Sequence, residues 1–300
     1  MSTYRELMQR AKEELAPMVL TMADLEAREL AYKAVDLAGI HFSRDLFLSR
    51  LDRFAPAVAD EILDELLTRR LSGEPLAYII GEWDFYGLTL TVTRDVLIPR
   101  ADTETVVEHA LEKLGETGFI APGENAKILD LCCGSGCIGI AMLSEHPHSI
   151  GILADLSKPA LKVAAQNIKA HDLSSRAVVM EMDALEPPPE GMHGLDMIVS
   201  NPPYITADEM AYLDVSVSGF EPEMALYGGS DGLNFYRSIT ANYAKTLKPG
   251  GYLIFEVGYE QASAVRSILE QNGFTDIETV CDLAENERVV SARYVGKEEQ

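Results

Sequence analysis

Hydrophobic positions recur with a helical period up to about residue 73 and with other periods beyond it. In "TMADLEARELAYKAV" the apolar residues Leu25, Leu30, Ala34 and Val35 recur at helical spacing, and Thr21 stands three residues before Asp24, like a capping box. In "PAVADEILDELLTRRLSG", Val58, Ile62, Leu63, Leu66, Leu67 and Leu71 share one helical face, and Gly73 suits the C-cap. The period then drops to two: in "YGLTLTVTRDVLIPR", Leu88, Leu90 and Val92 face one way and the threonines the other, as in a hairpin. This predicts a helical domain over residues 1–84, a β-hairpin connector over 85–100 and a further domain over 101–300.

From about Lys127, short apolar runs ("KILDL", "SIGILA", "RAVVMEM", "LDMIVS", "GYLIFEV") alternate with helical segments such as "KPALKVAAQNIKA" and "YEQASAVRSILEQNG". Alternating strand and helix predicts an α/β, doubly wound, Rossmann-like parallel sheet. "TDIETVCDL" and "ERVVSARYV", joined by a short link, predict a terminal hairpin with one antiparallel edge strand.

Composition narrows the function classes. The 300 residues carry a net charge of -23, with -5 over residues 1–100 and -18 over the rest, so neither part has the basic surplus that phosphate neutralisation requires. No direct nucleic-acid binding is expected. No run approaches the ~18 apolar residues of a membrane span, and the N-terminus has no apolar signal core. Cys132, Cys133, Cys137 and Cys281 fit neither a zinc site nor a disulfide framework, so no metal is expected and a reducing, cytoplasmic setting is. The six histidines (His41, His109, His146, His148, His171, His193) are scattered and read as surface or loop residues.

Candidate chemistry begins at "KILDLCCGSGCIGIAM", a strand, glycine turn and helix in which Gly134, Gly136 and Gly139 match G-x-G-x-x-G. That pattern alone admits NAD, FAD or S-adenosylmethionine. Asp155, 21 residues after Gly134, ends the second strand where a carboxylate accepts ribose hydroxyls, and Ser157 is better placed than Asp155 to cap the next helix. Asp183 ends the third strand, the usual place of an acceptor for an adenine amino group, and reads equally as a turn aspartate.

The fourth strand ends on "SNPPY" (Ser200 to Tyr204). A residue before proline is pushed into extended conformations, so Asn201 and Pro202 are both held extended. The Asn201 carboxamide and the Pro202 carbonyl then form two fixed acceptors for a substrate –NH₂. An amide or aryl amine nitrogen is a poor nucleophile because its lone pair is delocalised. Pinning it by both N–H bonds turns that pair toward a methyl donor by orientation and fixed dipoles. Tyr204 offers a face for the planar group to stack on.

The corner, with "LDLCCGSG" upstream, resembles class I methyltransferases that act on planar exocyclic nitrogen. "RLSGEPLAYIIGEWDFYG", "LIPRADTE", "YGGSDGLNFYR" and "NERVV" are similar to the release-factor glutamine N5-methyltransferases, the HemK/PrmC family. The resemblance implies a small helical substrate-recognition domain and a seven-stranded methyltransferase domain. It implies S-adenosylmethionine as methyl donor and peptide chain release factors as protein substrate, methylated on the Gly-Gly-Gln glutamine. Carried over by position, it assigns Cys132, Cys133, Gly134, Ser135, Gly136, Asp155, Asp183, Ala184 and Asn201 to the cofactor. It assigns Asn201, Pro202, Pro203 and Tyr204 to the glutamine, with Asn201, Pro202 and Tyr204 as the catalytic set. The chain departs from the family at Cys132-Cys133, where a Gly-Thr pair is usual, and at Ala101, where proline is usual.

The same corner also suits an N6-adenine DNA or RNA base methyltransferase, which the acidic balance opposes. An NAD-dependent oxidoreductase would use the glycine loop but leave "SNPPY" and "LIPRADTE" unexplained. A silent binding module would have no need of Asn201 and Tyr204. Arg100 and Glu104, just after the hairpin, read either as orienting the helical domain against the cofactor cleft or as ordinary surface ion-pair residues.

Overall fold

The computed structural model describes residues 1–19, 21–116 and 118–296. Five helices come first: α1 (Tyr4–Leu15), α2 (Ala23–Leu37), α3 (Arg44–Leu48), α4 (Val58–Leu71) and α5 (Leu76–Ile80). A hairpin of β1 (Glu82–Phe85) and β2 (Leu88–Thr91) follows, then α6 (Glu104–Leu114). Strand and helix then alternate through β3 (Ala126–Leu131), α7 (Cys137–Glu145), β4 (Ser149–Asp155), α8 (Lys158–Ala170), β5 (Ala177–Glu181) and β6 (Leu195–Ser200). The short α9 (Ala207–Met210) and α10 (Val215–Ser218) precede α11 (Asn234–Tyr243), β7 (Leu247–Glu256), α12 (Ala262–Gln271), β8 (Phe274–Cys281) and β9 (Glu287–Tyr294).

The chain forms two compact units, Met1–Glu82 with Val215–Phe220, and Trp83–Asp214 with Glu221–Gln300. The first therefore takes in a segment from the stretch expected to be wholly methyltransferase. In this unit a capping box opens α1: Thr3 Oγ1 accepts the Glu6 N–H at 3.2 Å, and the Glu6 carboxylate accepts the Thr3 N–H at 2.7 Å. The expected cap at Thr21 does not form, and the N-cap of α2 is Met22. Asp24 is a methylene shorter than the glutamate a reciprocal box needs, and a turn through Val19 and Met22 carries the chain into the helix.

Along α4, Ala59, Leu63, Leu66 and Leu67 are buried, while Val58 and Leu71 at its ends are exposed. Arg70 grips Glu26 through two bonds of 2.6 and 3.0 Å, and Arg69 grips Glu74 through two of 2.8 Å. Each buried carboxylate thus has a bidentate partner, the arrangement that offsets its desolvation. Gly73, at φ +96°, turns the chain out of α4, and the Phe220 ring lies 3.7 Å from where its Cβ would be.

The second unit holds a seven-stranded sheet in the order β5-β4-β3-β6-β7-β9-β8. The first five strands pair in parallel, and β9 runs antiparallel to both neighbours. The antiparallel strand expected at the edge is therefore interior, inserted between β7 and the edge strand β8. Alternate residues feed opposite faces. Ile128, Met197, Val199 and Ile254 join one core with α6 and α7, and Leu129, Leu131, Ile198, Leu253 and Phe255 join the other with α11 and α12. Because both faces are covered, the strands read as continuous apolar runs.

The connecting hairpin is displaced from its expected span: β1 begins at Glu82 and β2 ends at Thr91. Asn167, fully buried on α8, binds the N–H and C=O of Thr91 at 2.8 and 3.0 Å and the Ser135 carbonyl at 3.0 Å. One side chain thus joins the hairpin to the glycine turn. Among the described residues no helix is long and apolar enough to cross a membrane.

Candidate active site

Strand order reverses at β3. The chain moves outward from β3 to β4 and β5, then returns to β6 on the other side of β3. Ligands of open α/β sheets bind at such a switch point, beyond the carboxyl ends of the strands. Leu131 pairs with Ser200, and the Ser200 hydroxyl donates to the Leu131 carbonyl at 2.6 Å. Cys132 and Asn201 therefore leave the sheet side by side.

A cavity of about 590 Å³ lies here, within the second unit. Cys132, Cys133, Gly134, Ser135, Asp155, Asp183, Ala184, Asn201 and Pro203 all line it. Gly136 does not. It is the N-cap of α7 at φ +82°, and an added Cβ would meet Leu153 at 2.8 Å, so its smallness serves the packing of helix on strand. Pro202 and Tyr204 are not among the lining residues: Pro202 is buried, and the Tyr204 ring edge comes within 2.8 Å of where a Cβ on Gly258 would sit. The Tyr204 hydroxyl is pushed up to about 12, first by burial and then by the nearby Glu256 carboxyl.

Asp155 orders the glycine turn. Its Oδ2 accepts the Gly134 N–H at 2.9 Å and its Oδ1 the Ser157 N–H at 2.8 Å, while Ser157 itself caps α8. Burial raises its carboxyl above the usual range against these backbone donors. Beneath the turn, Asp130 Oδ2 accepts the Gly139 N–H at 2.8 Å, whereas its Oδ1 has no partner among the described residues. Burial pushes that carboxyl up to about 7. The Ser135 hydroxyl, on the cavity wall, is also buried without a partner.

Residues 109–216 match the methyltransferase small domain family and residues 6–81 the PrmC N-terminal domain family. A release factor glutamine methyltransferase of Clostridium acetobutylicum is 40% identical over 229 residues, 76% of this chain and 78% of that protein. One of Geobacter sulfurreducens is 41% identical over 228 residues, 76% of each chain. The chain belongs to the release factor glutamine methyltransferase family. Among solved structures, the hMettl16 catalytic domain in complex with the MAT2A 3'UTR hairpin 6 is similar in fold, with a TM-score of 0.56 at 15% identity over 71% of this chain and 77% of that one.

Membership accounts for the motif residues. Arg70, Gly73 and Glu74 of "RLSGEP", with Arg69 just before it, stabilise the helical unit. Arg288 of "NERVV" holds Asp282 and Asp102, each at 3.2 Å, together with the Val257 carbonyl. Arg100 forms an ion pair with Glu221, whose other oxygen accepts the Ile98 N–H at 3.2 Å. Glu104 instead accepts the Tyr86 N–H at 2.8 Å. His109 proves buried, bound to the Ser291 hydroxyl at 2.8 Å, and no histidine lines the cavity.

Two features of the wall fit an S-adenosyl group: the unpartnered Ser135 hydroxyl, and a turn with open space where a Gly134 side chain would be. The wall also includes residues that sequence reasoning missed, among them Val96, Leu97, Pro99 and Thr103. They fall in and after the segment read as a hairpin; Leu97, Pro99 and Thr103 belong to "LIPRADTE", a motif to which the sequence reading gave no place on the cavity wall.

Proposed function

We propose that the protein transfers the methyl group of S-adenosylmethionine to the side-chain amide nitrogen of the glutamine in the Gly-Gly-Gln motif of peptide chain release factors, giving N5-methylglutamine in the cytoplasm. The observation that carries this reading is the Asn201 carboxamide. It stands on the wall of the cavity that also takes in Gly134 and Asp155, and no described residue occupies it with a hydrogen bond. The family relatives, named for glutamine methylation, support the acceptor.

S-adenosylmethionine supplies a methyl group made electrophilic by its sulfonium. The loop from Cys132 to Ser135, Asp155 and Asp183 would hold it. Asn201 Oδ1 and the Pro202 carbonyl accept the two N–H bonds of the glutamine amide, which orients the nitrogen lone pair across the cavity. The amide proton becomes acidic once nitrogen bears the methyl group, so it passes to water and no strong base is required. With no histidine on the wall, the residues act by placement rather than by proton abstraction.

Incubation with labelled S-adenosylmethionine, purified release factor and duplex DNA, followed by mass mapping, tests the reading. Label on the Gly-Gly-Gln glutamine is expected; label in DNA, or none in either acceptor, rejects it. Asn201→Ala should lower kcat by ~10²–10³ while leaving S-adenosylmethionine affinity near wild type. An unchanged single-turnover rate removes Asn201 from the mechanism.

A further inference from the structure

Gln261 is the N-cap residue of α12, yet its side chain makes no capping bond. Helix starts favour serine, threonine, aspartate or asparagine. The Gln261 carboxamide is committed elsewhere. Nε2 donates to the Tyr204 carbonyl at 3.0 Å and approaches the Gly232 carbonyl at 3.5 Å. Oε1 accepts the Gly258 N–H at 3.1 Å and lies 3.4 Å from the buried Tyr236 hydroxyl, which also reaches the Glu256 carbonyl at 3.0 Å. Two carbonyls on one side and two donors on the other fix which end of the amide faces which way.

Three glycines close around the same point. A Cβ on Gly228 would meet the Tyr204 Cα at 2.6 Å and the Pro203 carbonyl at 2.7 Å. One on Gly232 would meet the Tyr204 carbonyl at 2.3 Å and Gln261 Nε2 at 2.5 Å. One on Gly258 would meet Gln261 Oε1 and Tyr204 Cδ2, each at 2.8 Å. Three backbone segments thus press on the residue that ends the corner, and one amide ties it to two of them.

We infer that Gln261 is a positioning residue for methyl transfer: its carboxamide, with the close approach of Gly228, Gly232 and Gly258, anchors the Tyr204 carbonyl and so sets the peptide that carries the Asn201 and Pro202 acceptors. The inference rests on the proposed function for its kinetic consequence, and on contacts alone for its structural one. Gln261 does not touch the acceptor amide; it acts through Tyr204. A displacement of about 1 Å at a reacting centre costs up to ~10²-fold in rate.

Gln261→Met keeps length and volume and removes both polar ends. Its kcat for release-factor methylation should fall ~10- to 100-fold, with KM for release factor and the calorimetric Kd for S-adenosylmethionine within about twofold of wild type. Gly258→Ala, at a backbone angle that alanine accepts, should lower kcat in the same way by pushing on Tyr204 with Gln261 intact. Wild-type kcat in Gln261→Met overturns the inference, as does a loss that appears equally in S-adenosylmethionine affinity, because that would mark a general packing role. A crystal structure of Gln261→Met should show the Tyr204 carbonyl displaced, and a corner superposing on that of wild type overturns the inference whichever acceptor the enzyme uses. Wild-type inactivity toward release factor would reject the proposed acceptor and leave that structural comparison to decide on Gln261.

Discussion

Cys132 adopts φ +63°, a left-handed backbone that costs a side-chain-bearing residue roughly 1–2 kcal/mol, and it stands where the family usually has glycine. The strain sits where β3 hands over to the glycine turn, so the turn is imposed by its surroundings rather than chosen by the residue. Burial lifts the thiols of Cys132 and Cys133 far above their usual range, and that of Cys137 to about 12. A sulfonium methyl alkylates thiolates, so protonated thiols are compatible with a methyl donor at close quarters. Asp155→Ala should weaken S-adenosylmethionine binding ~10- to 100-fold, the range for a hydrogen bond to a charged group, because it removes the anchor of the Gly134 N–H and the carboxylate proposed for the ribose hydroxyls. A calorimetric Kd equal to wild type would reject the ribose assignment. Asp155 was legible because a strand end fixes its position along the chain. Gln261 was not, because its role depends on a contact with Tyr204, 57 residues away.

At the scale of elements, the parallel strands were legible for a reason visible in the packing: the central ones, β3, β6 and the second half of β7, are covered on both faces and so are largely apolar runs. β1 was not, since "EWDF" has only Phe85 fully buried and no regular alternation. The interior place of β9 was hidden too, because a hairpin fixes which strands pair with each other but not which of them meets β7. Gly139 shows how closely α7 lies on the sheet. Glycine to alanine inside a helix ordinarily gains up to ~1 kcal/mol from propensity. Here the new Cβ would stand 2.9 Å from Asp130 Oδ2 and 3.0 Å from Leu153, an overpacking that typically costs ~1–3 kcal/mol. The packing term exceeds the propensity term, so Gly139→Ala should lower the melting temperature; a rise would mean that α7 moves aside freely.

At the scale of the whole molecule, two fully buried carboxyls among the described residues, Asp130 and Glu256, resist ionisation most. Asp130 and Glu256 are both pushed up to about 7 by burial, Glu256 against the pull of the Thr103 hydroxyl and the Arg288 and Arg100 guanidiniums. The folded state keeps protons that the unfolded chain releases near its ordinary carboxyl range. The contribution of these two groups to stability therefore falls as pH rises from about 4 to about 7 and levels off above. Glu256→Gln should raise the melting temperature at pH 8, by an amount corresponding to at most about 3 kcal/mol, and change little at pH 5. The same gain at both pH values would show that Glu256 stays charged. The division of the chain has a separate consequence. Because the helical unit is completed by Val215–Phe220, a single cleavage after residue 82 would not liberate it whole: a strip of that unit would remain spliced into the other fragment. Swapping the helical unit between relatives would require exchanging two stretches of gene, the second beginning eleven codons after the Tyr204 codon.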